Sequence, residues 1–193
     1  ELDLISGIAS SSFSLDGVKI TQQVFASVPN DLIVVQIKSA SPAGVHCSIQ
    51  LSRKQDATVS VDKNMIVLKG QIRDLPNERQ GPGGMNMKFS GAAFVKHHEG
   101  TLLVKGNTIT VENATEVLVF INARTNYVPE KMHFNNKTDV QKLCLQPFRK
   151  ALPINDMLKN QTVHSAKMNR VSLYIEGTDY SHLPTDERLA AVK

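Results

Sequence analysis

The stretch Thr101–Arg124, which reads TLLVKGNTITVENATEVLVFINAR, decides the fold class of this chain. Apolar and β-branched residues form three strand patterns within it, and turn residues separate them at Gly106-Asn107 and Asn113-Ala114. The three patterns are Thr101–Lys105, Thr108–Glu112 and Glu116–Arg124. Connections this short join antiparallel strands, because a parallel pair needs a crossover of roughly a dozen residues or more.

The same pattern continues towards the N-terminus as far as Ile8. Asp16-Gly17 lies between two alternating segments, which is a strong signal for a β-hairpin. Leu32–Ile37 is nearly all apolar and is typical of a strand buried on both faces. About ten strands with turns every 8–12 residues predict a mainly β chain with an antiparallel β-sandwich over residues 1–135.

The periodicity changes from that of strands to that of helices at Thr138. Apolar residues then recur every three or four positions, and Thr138-Asp139 resembles a helix start. Pro147 is expected to kink or divide this helix because proline lacks the backbone donor. A second helix is predicted over Asn155–Met168, followed by a short strand at Val171–Ile175 and a polar tail. Residues 136–193 are therefore predicted to form a helical connector, a returning strand and a linker.

Composition and charge exclude several classes of protein. The chain is 41% hydrophobic and 21% charged, as globular domains are. Its net charge is +4, and its basic residues are scattered along the sequence instead of clustered. We therefore expect no nucleic-acid partner. No apolar stretch reaches about 18 residues, so no membrane span is expected. Aromatic residues make up 5% of the chain and Trp is absent, which argues against an exposed aromatic platform for sugars.

Catalytic and metal sites have characteristic residue spacings, which this sequence mostly lacks. His97-His98-Glu99 contains three metal-ligating side chains, but adjacent strand residues point to opposite faces. No nucleophile elbow and no phosphate-binding loop occur, so we expect no catalytic residue, no metal and no cofactor in this chain. Cys47 and Cys144 are either buried free thiols or an isolated disulfide.

The longest interruption of the strand patterns is Ile72–Gly84, which is rich in glycine and proline. Arg73, Glu78 and Arg79 lie on it. Long loops on rigid β-scaffolds often carry function, but a mobile surface excursion has the same composition. With Tyr127, which follows the last long strand, these residues are the candidates for a substrate-entrance or interdomain loop.

The opening Glu1-Leu2-Asp3-Leu4, Gly84-Met85 with Phe89, and LPTDERL at Leu183–Leu189 form a pattern that covers essentially the whole chain. This pattern resembles the N-terminal β-domain of glycoside hydrolase family 95, which contains α-L-fucosidases and some related α-L-galactosidases. Towards the C-terminus, Arg170-Val171-Ser172-Leu173 and LPTDERL over Leu183–Leu189 are similar to the segment that links that domain to the catalytic barrel. Glu1-Leu2-Asp3-Leu4 and Val24-Phe25-Ala26-Ser27 are similar to its first strands. Thr125-Asn126-Tyr127 also agrees with the family pattern.

This resemblance implies a β-supersandwich packed beside an (α/α)6 barrel that carries the catalytic residues. The chain would then be a fragment, inactive alone, whose partners are the barrel of the same parent chain and, through the parent enzyme, an oligosaccharide. The parent is expected to be a periplasmic or secreted bacterial enzyme of carbohydrate metabolism. Strands near Glu1 would lack neighbours, which predicts self-association through exposed edges.

Two function hypotheses therefore compete. The first is the noncatalytic N-terminal domain of an α-L-fucosidase-like hydrolase, which supports the barrel and shapes its entrance. The second is an autonomous carbohydrate-binding β-sandwich module that uses Tyr127, Phe94 or the Ile72–Gly84 segment as its platform. The absence of Trp favours the first hypothesis.

Overall fold

The computed structural model describes residues 1–15, 17–76, 83–150, 153–168, 170 and 180–191. Short 3-10 turns lie at Val28–Asn30, Pro129–Lys131 and Pro147–Lys150. The strands are β1 Leu2–Asp3, β2 Ile8–Leu15, β3 Val18–Ser27, β4 Leu32–Ser39, β5 Val45–Gln50, β6 Ala57–Asp62, β7 Met65–Asp74, β8 Gly84–His98, β9 Thr101–Lys105, β10 Thr108–Ala114, β11 Glu116–Thr125, β12 Tyr127–Val128 and β13 His133–Phe134. The helices are α1 Val140–Leu145, α2 Ile154–Met168 and α3 Thr185–Ala191.

The strands form two packed sheets and a small hairpin. The large sheet has eight strands in the order β1-β2-β3-β4-β11-β8-β7-β6, and the small sheet has the order β5-β10-β9. Strands β12 and β13 form the separate hairpin. All the pairings are antiparallel, from β2 with β3 to β7 with β8. The predicted antiparallel β-sandwich followed by short helices is confirmed.

Two-residue turns set the register of the hairpins. Leu15 pairs with Val18, and Gly17 in the turn between them has a φ of 78°. Lys105 pairs with Thr108 in the same way, and Gly106 has a φ of 58°. Both turns need the left-handed backbone that glycine adopts without a steric penalty.

The main hydrophobic core lies between the two sheets. Val117 and Val119 of β11 face the small sheet, where Ile109 and Val111 of β10 are fully buried. The chain passes from the small sheet to the large one through a bulge after Val111, at which Asn113 has a φ of 58°. This bulge allows consecutive strands β10 and β11 to belong to opposite layers.

Helices cover part of the other face of the large sheet. Met157 of α2 is fully buried against Phe25, Val34 and Phe120, and Cys144 of α1 packs against Ala92. The predicted strand Leu32–Ile37 therefore has neighbours on both sides as β4, in the middle of the sheet. The domain is a three-layer arrangement of small sheet, large sheet and helices.

The helical connector begins and divides where the sequence predicts. Asp139 is the N-cap of α1, and its carboxylate accepts a hydrogen bond of 2.9 Å from the Lys142 backbone N–H. Helix α1 ends at Leu145 and a 3-10 turn starts at Pro147. Part of the polar tail forms α3, whereas the predicted strand Val171–Ile175 lies outside the described residues.

Strand pairing extends into both ends of the Ile72–Gly84 segment. Strand β7 extends to Asp74, and β8 starts at Gly84, with Asp74 paired to Gly84 and Arg73 to Met85. Ladder hydrogen bonds therefore continue the hairpin through residues that the sequence pattern assigned to the loop. Among the described residues, no helix is long and apolar enough to cross a membrane.

Candidate functional site

The two described candidate residues, Arg73 and Tyr127, lie on opposite sides of strand β8 at one end of the large sheet. Arg73 pairs with Met85 on one side of β8, and its backbone N–H donates to Asp56 Oδ2 at 3.3 Å. Tyr127 follows Asn126, which is hydrogen-bonded to Lys88 on the other side of β8. Glu78 and Arg79, the other two candidates, lie outside the described residues.

Asn126 fixes the start of the β12–β13 hairpin. It is 1% exposed, and its Oδ1 accepts a hydrogen bond of 2.8 Å from the Lys88 backbone N–H. Its own backbone N–H donates to the Lys88 carbonyl at 3.1 Å, and its carbonyl accepts from the Asn135 N–H at 2.8 Å. The sequence points to Asn126 only through the family pattern Thr125-Asn126-Tyr127, because an asparagine beside a strand end is normally a solvated turn residue.

The hairpin presents an aromatic pair beside this anchor. The rings of Tyr127 and Phe134 have centroids 5.8 Å apart and are tilted by 59°, an arrangement that aromatic pairs favour. Tyr127 is 41% exposed and Phe134 is 36% exposed. Met132, at the tip, is 82% exposed and has a left-handed backbone with a φ of 50°.

Further apolar side chains are exposed at the same end of the sheet. Leu75, directly after β7, and Met85, at the start of β8, are both mostly exposed. We call this set the loop-end surface; it consists of Arg73, Leu75, Met85, Tyr127, Met132 and Phe134. A cluster of exposed large apolar side chains is unusual on a soluble domain and is typical of a surface that contacts another unit.

Phe94, a predicted sugar platform, belongs instead to the core. Its ring centroid lies 6.3 Å from that of Phe120 and 6.3 Å from that of Phe148. The Nζ atom of Lys96 lies 5.7 Å from the Phe94 ring centroid. The alternation that places Phe94 on the helix side of β8 is visible in the sequence, but the helical residue that covers it is not.

The histidine pair does not form a metal site with the other described residues, and the two cysteines are not paired. His97 and His98 both lie in β8, and the His97 Nδ1 atom is 2.6 Å from the carbonyl oxygen of Glu99. Across the described ranges, no group of three His, Cys, Asp or Glu side chains could hold a metal ion. Cys47 and Cys144 are free thiols, and burial raises the pKa of each.

Comparison with known families matches residues 1–130 to the N-terminal domain of glycosyl hydrolase family 65. The match covers more than half of the 193 residues and includes every strand of both sheets. The chain belongs to this family. The prediction of an N-terminal domain from a glycoside hydrolase-like enzyme is thereby confirmed.

The family 65 N-terminal domain is also similar to "Alpha-L-fucosidase 2" from Arabidopsis thaliana. The two are 23% identical over 197 residues, which cover 92% of this chain and 23% of the relative. Among solved structures, "Putative kojibiose phosphorylase from human microbiome" matches with a TM-score of 0.55 and 11% identity, over 86% of this chain and 24% of that one. An identity this low shows the fold alone. The chain thus spans about a quarter of the length of each.

Proposed function

We propose that this family 65 N-terminal domain is the noncatalytic N-terminal domain of a hydrolase that cleaves α-L-fucosyl or related linkages in oligosaccharides. The similarity to "Alpha-L-fucosidase 2" carries this proposal, because it covers 92% of the chain. Such coverage requires the alignment to extend beyond the sandwich into the helical connector. The LPTDERL segment at Leu183–Leu189, which resembles the linker of glycoside hydrolase family 95, also supports a fucosidase-like parent.

In this proposal, residues 1–135 are the sandwich and residues 136–193 lead to an (α/α)6 catalytic barrel. The packing of the connector supports a role in holding that barrel. Val140 and Cys144 of α1 and Met157 of α2 are buried against the large sheet. Helices that are buried against a packed sheet do not rotate freely on it. The connector would therefore hold the domain that follows in one orientation.

The loop-end surface is proposed to shape the entrance of the barrel. Tyr127 and Phe134 offer apolar area, and Arg73 offers a guanidinium that can donate to sugar hydroxyls or to a backbone carbonyl. Exposed aromatic and arginine side chains are the residues that most often anchor contacts between protein units. Glu78 and Arg79 belong to the candidate set from the sequence and lie outside the described residues.

The experiment has two arms. The isolated chain is assayed with aryl α-L-fucosides, α-L-galactosides and α-glucosides, and we expect no turnover of any of them. The polypeptide encoded by the complete reading frame is assayed in parallel, and we expect it to cleave the α-L-fucoside. Turnover by the isolated chain that a substitution within it abolishes would overturn the noncatalytic role. A parent active on the α-glucoside alone would overturn the fucosyl specificity.

Self-association is tested separately by sedimentation velocity. Among the strands that the structure describes, the edges of the large sheet are β1, which has two residues, and β6, Ala57–Asp62. Unpaired N–H and C=O groups on such edges can pair with a second copy. We expect a concentration-dependent dimer that forms through the strands near Glu1, whereas a monomer at all concentrations contradicts the prediction.

A further inference from the structure

The helices leave one region of the large sheet uncovered in the part of the chain that the structure describes. The row Ile8–Phe25–Val34–Phe120, in register across β2, β3, β4 and β11, is apolar and packs beside α2. The next two rows on the same face are polar on β2, β3 and β4. We call them the open polar face; they are Ser10–Gln23–Gln36, which Leu118 continues on β11, and Ser12–Thr21–Lys38–Glu116.

A hydrogen-bond network holds the floor of the open polar face. Gln36 is 4% exposed, and its Nε2 donates to Glu116 Oε1. The Lys38 Nζ atom lies 3.5 Å from the same carboxylate oxygen. The Gln36 amide and the Lys38 ammonium therefore share the Glu116 carboxylate as acceptor, which restricts all three side chains. The charges of Lys38 and Glu116 offset each other.

The open polar face is concave. The β2, β3 and β4 side chains of both rows, together with Glu1, Ser11 and Gln22, line a depression of about 660 Å³, within the roughly 300–1,000 Å³ range of small-ligand sites. Neighbouring strands are about 4.8 Å apart, so each row presents donors and acceptors at a spacing that one sugar ring can bridge. A buried glutamine beneath exposed hydroxyls gives this depression a fixed polar floor.

The side chains of the depression select the class of ligand. Ser, Thr and Gln both donate and accept hydrogen bonds, as sugar hydroxyls do. A nucleic acid would need unpaired basic and aromatic side chains, whereas the Lys38 charge is balanced by Glu116. A protein partner would need large apolar or arginine anchors, and the side chains that line the depression include neither.

We propose that the open polar face is a binding site for a neutral oligosaccharide. Gln23 and Thr21 contact the ligand directly, and Gln36 is a positioning residue that presents Glu116 and Lys38 to it. This site is separate from the loop-end surface and does not depend on which linkage the parent enzyme cleaves. It would keep substrate or product chains near the enzyme without taking part in hydrolysis.

The test is an NMR titration of the ¹⁵N-labelled chain with 2′-fucosyllactose, maltotetraose and xylotetraose. A heparin tetrasaccharide serves as the anionic probe. We expect at least one neutral probe to shift the side-chain amide signals of Gln23 and Gln36 and the backbone signals of β2 to β4. We expect Gln23→Ala and Gln23→Glu each to weaken its binding about tenfold, since hydrogen bonds to the ligand are lost.

Gln50 provides the matched control because it is exposed on β5, on the other side of the sandwich. Gln50→Ala and Gln50→Glu should leave the affinity unchanged, and the thermal unfolding of all four variants confirms that they fold. The proposal is overturned if no neutral probe shifts these signals, or if the shifts lie on β5, β9 and β10. It is also overturned if the heparin tetrasaccharide binds more tightly than every neutral probe.

Discussion

Asn126 and Lys88 are joined by two hydrogen bonds although they are 38 positions apart. The Lys88 N–H donates to Asn126 Oδ1 at 2.8 Å, and the Asn126 N–H donates to the Lys88 carbonyl at 3.1 Å. One bond belongs to the side chain and the other continues the ladder between β8 and β11. The pairing between β8 and β11 therefore ends at Asn126, and the hairpin that carries Tyr127 starts there.

The first prediction concerns this anchor. Asn126→Ala leaves the Lys88 N–H without its acceptor, so the free energy of unfolding should fall by about 1–3 kcal/mol, as measured by urea denaturation. Asn136→Ala is the control because Asn136 is exposed and its side-chain Oδ1 accepts a long bond of 3.4 Å from Asn126 Nδ2, while the carbonyl that accepts from Lys88 Nζ is backbone and is kept in the variant. Equal stability of the two variants would contradict an anchoring role for Asn126.

The second prediction concerns the close approach of Gly100 to the bulge in β10. A Cβ atom on Gly100 would lie 2.2 Å from the Glu112 carbonyl oxygen, and its φ is +69°. Gly106 has a similar φ of +58° but no atom within 4 Å of such a Cβ. Gly106→Ala should cost about 1 kcal/mol from backbone strain alone.

Gly100→Ala should cost about 1–3 kcal/mol more than Gly106→Ala, because the β9 turn must also move away from Glu112. Thermal or urea unfolding of the two variants measures the difference. A difference near zero would show that the turn relaxes without disturbing the bulge.

Much of the fold follows from local patterns in the sequence. Alternation predicts the strands, Asp16-Gly17 and Gly106-Asn107 predict their turns, and Asp139 predicts the start of α1. These features depend on neighbouring residues, so a single chain displays them. The extension of β7 to Asp74 depends instead on its partner Gly84 in β8, which local composition does not reveal.

The candidate site was less predictable for the same reason. The sequence pattern offers Tyr127 as a candidate, but it does not show the ring contact of Tyr127 with Phe134. It also does not show the hydrogen bond between Asn126 and Lys88, which are distant in sequence. Gln36 appears in the sequence as one polar residue in an apolar run. Period-two alternation places it on the face of Val34, but only the positions of the described helices show that they leave this part of the face uncovered.

The third prediction concerns the contact that seats α2 on the large sheet. Met157 is fully buried, and Met157→Ala should lower the free energy of unfolding by about 2–5 kcal/mol through lost burial and a cavity. Val163→Ala is the control on the same helix because Val163 is 59% exposed, and it should change stability by no more than about 0.5 kcal/mol. Hydrogen exchange then distinguishes release of α2 alone from destabilisation of the entire sandwich.

The fourth prediction concerns the pH dependence of the turn after β1. The Ser6 hydroxyl donates to Asp3 Oδ2 at 2.6 Å and the Ile5 N–H donates to Oδ1 at 2.9 Å, which together lower the pKa of Asp3 below 3.8. A depressed pKa means that the stabilising effect is present above the unfolded value and is lost as pH falls through the folded value.

A carboxyl ¹³C titration should therefore give a midpoint for Asp3 below 3.8, its ordinary value. Ser6→Ala removes the largest cause of the shift and should move the midpoint upwards, whereas Ser14→Ala, at the far end of β2, should not. An unchanged midpoint in Ser6→Ala would show that the hydroxyl does not stabilise the carboxylate.

The fifth prediction concerns the reactivity of the two thiols. Burial raises the pKa of Cys47 and of Cys144 above 9.0, so little thiolate exists at neutral pH. Cys144 is fully buried and its Sγ donates to the Asn122 carbonyl at 3.4 Å, whereas Cys47 is only half-buried. Labelling with Ellman's reagent should therefore be slow for both thiols and slower for Cys144.

Single-thiol variants separate the two reactions. Cys144→Ala reports Cys47 alone, and Cys47→Ala reports Cys144 alone. We expect the Cys144 rate to rise to that of a free thiol only when urea unfolds the chain, because its access depends on release of α1 from the large sheet. Rapid labelling of Cys144 in the folded chain would mean that α1 leaves the sheet under native conditions, and a connector that detaches in this way could not hold a catalytic barrel in a fixed orientation.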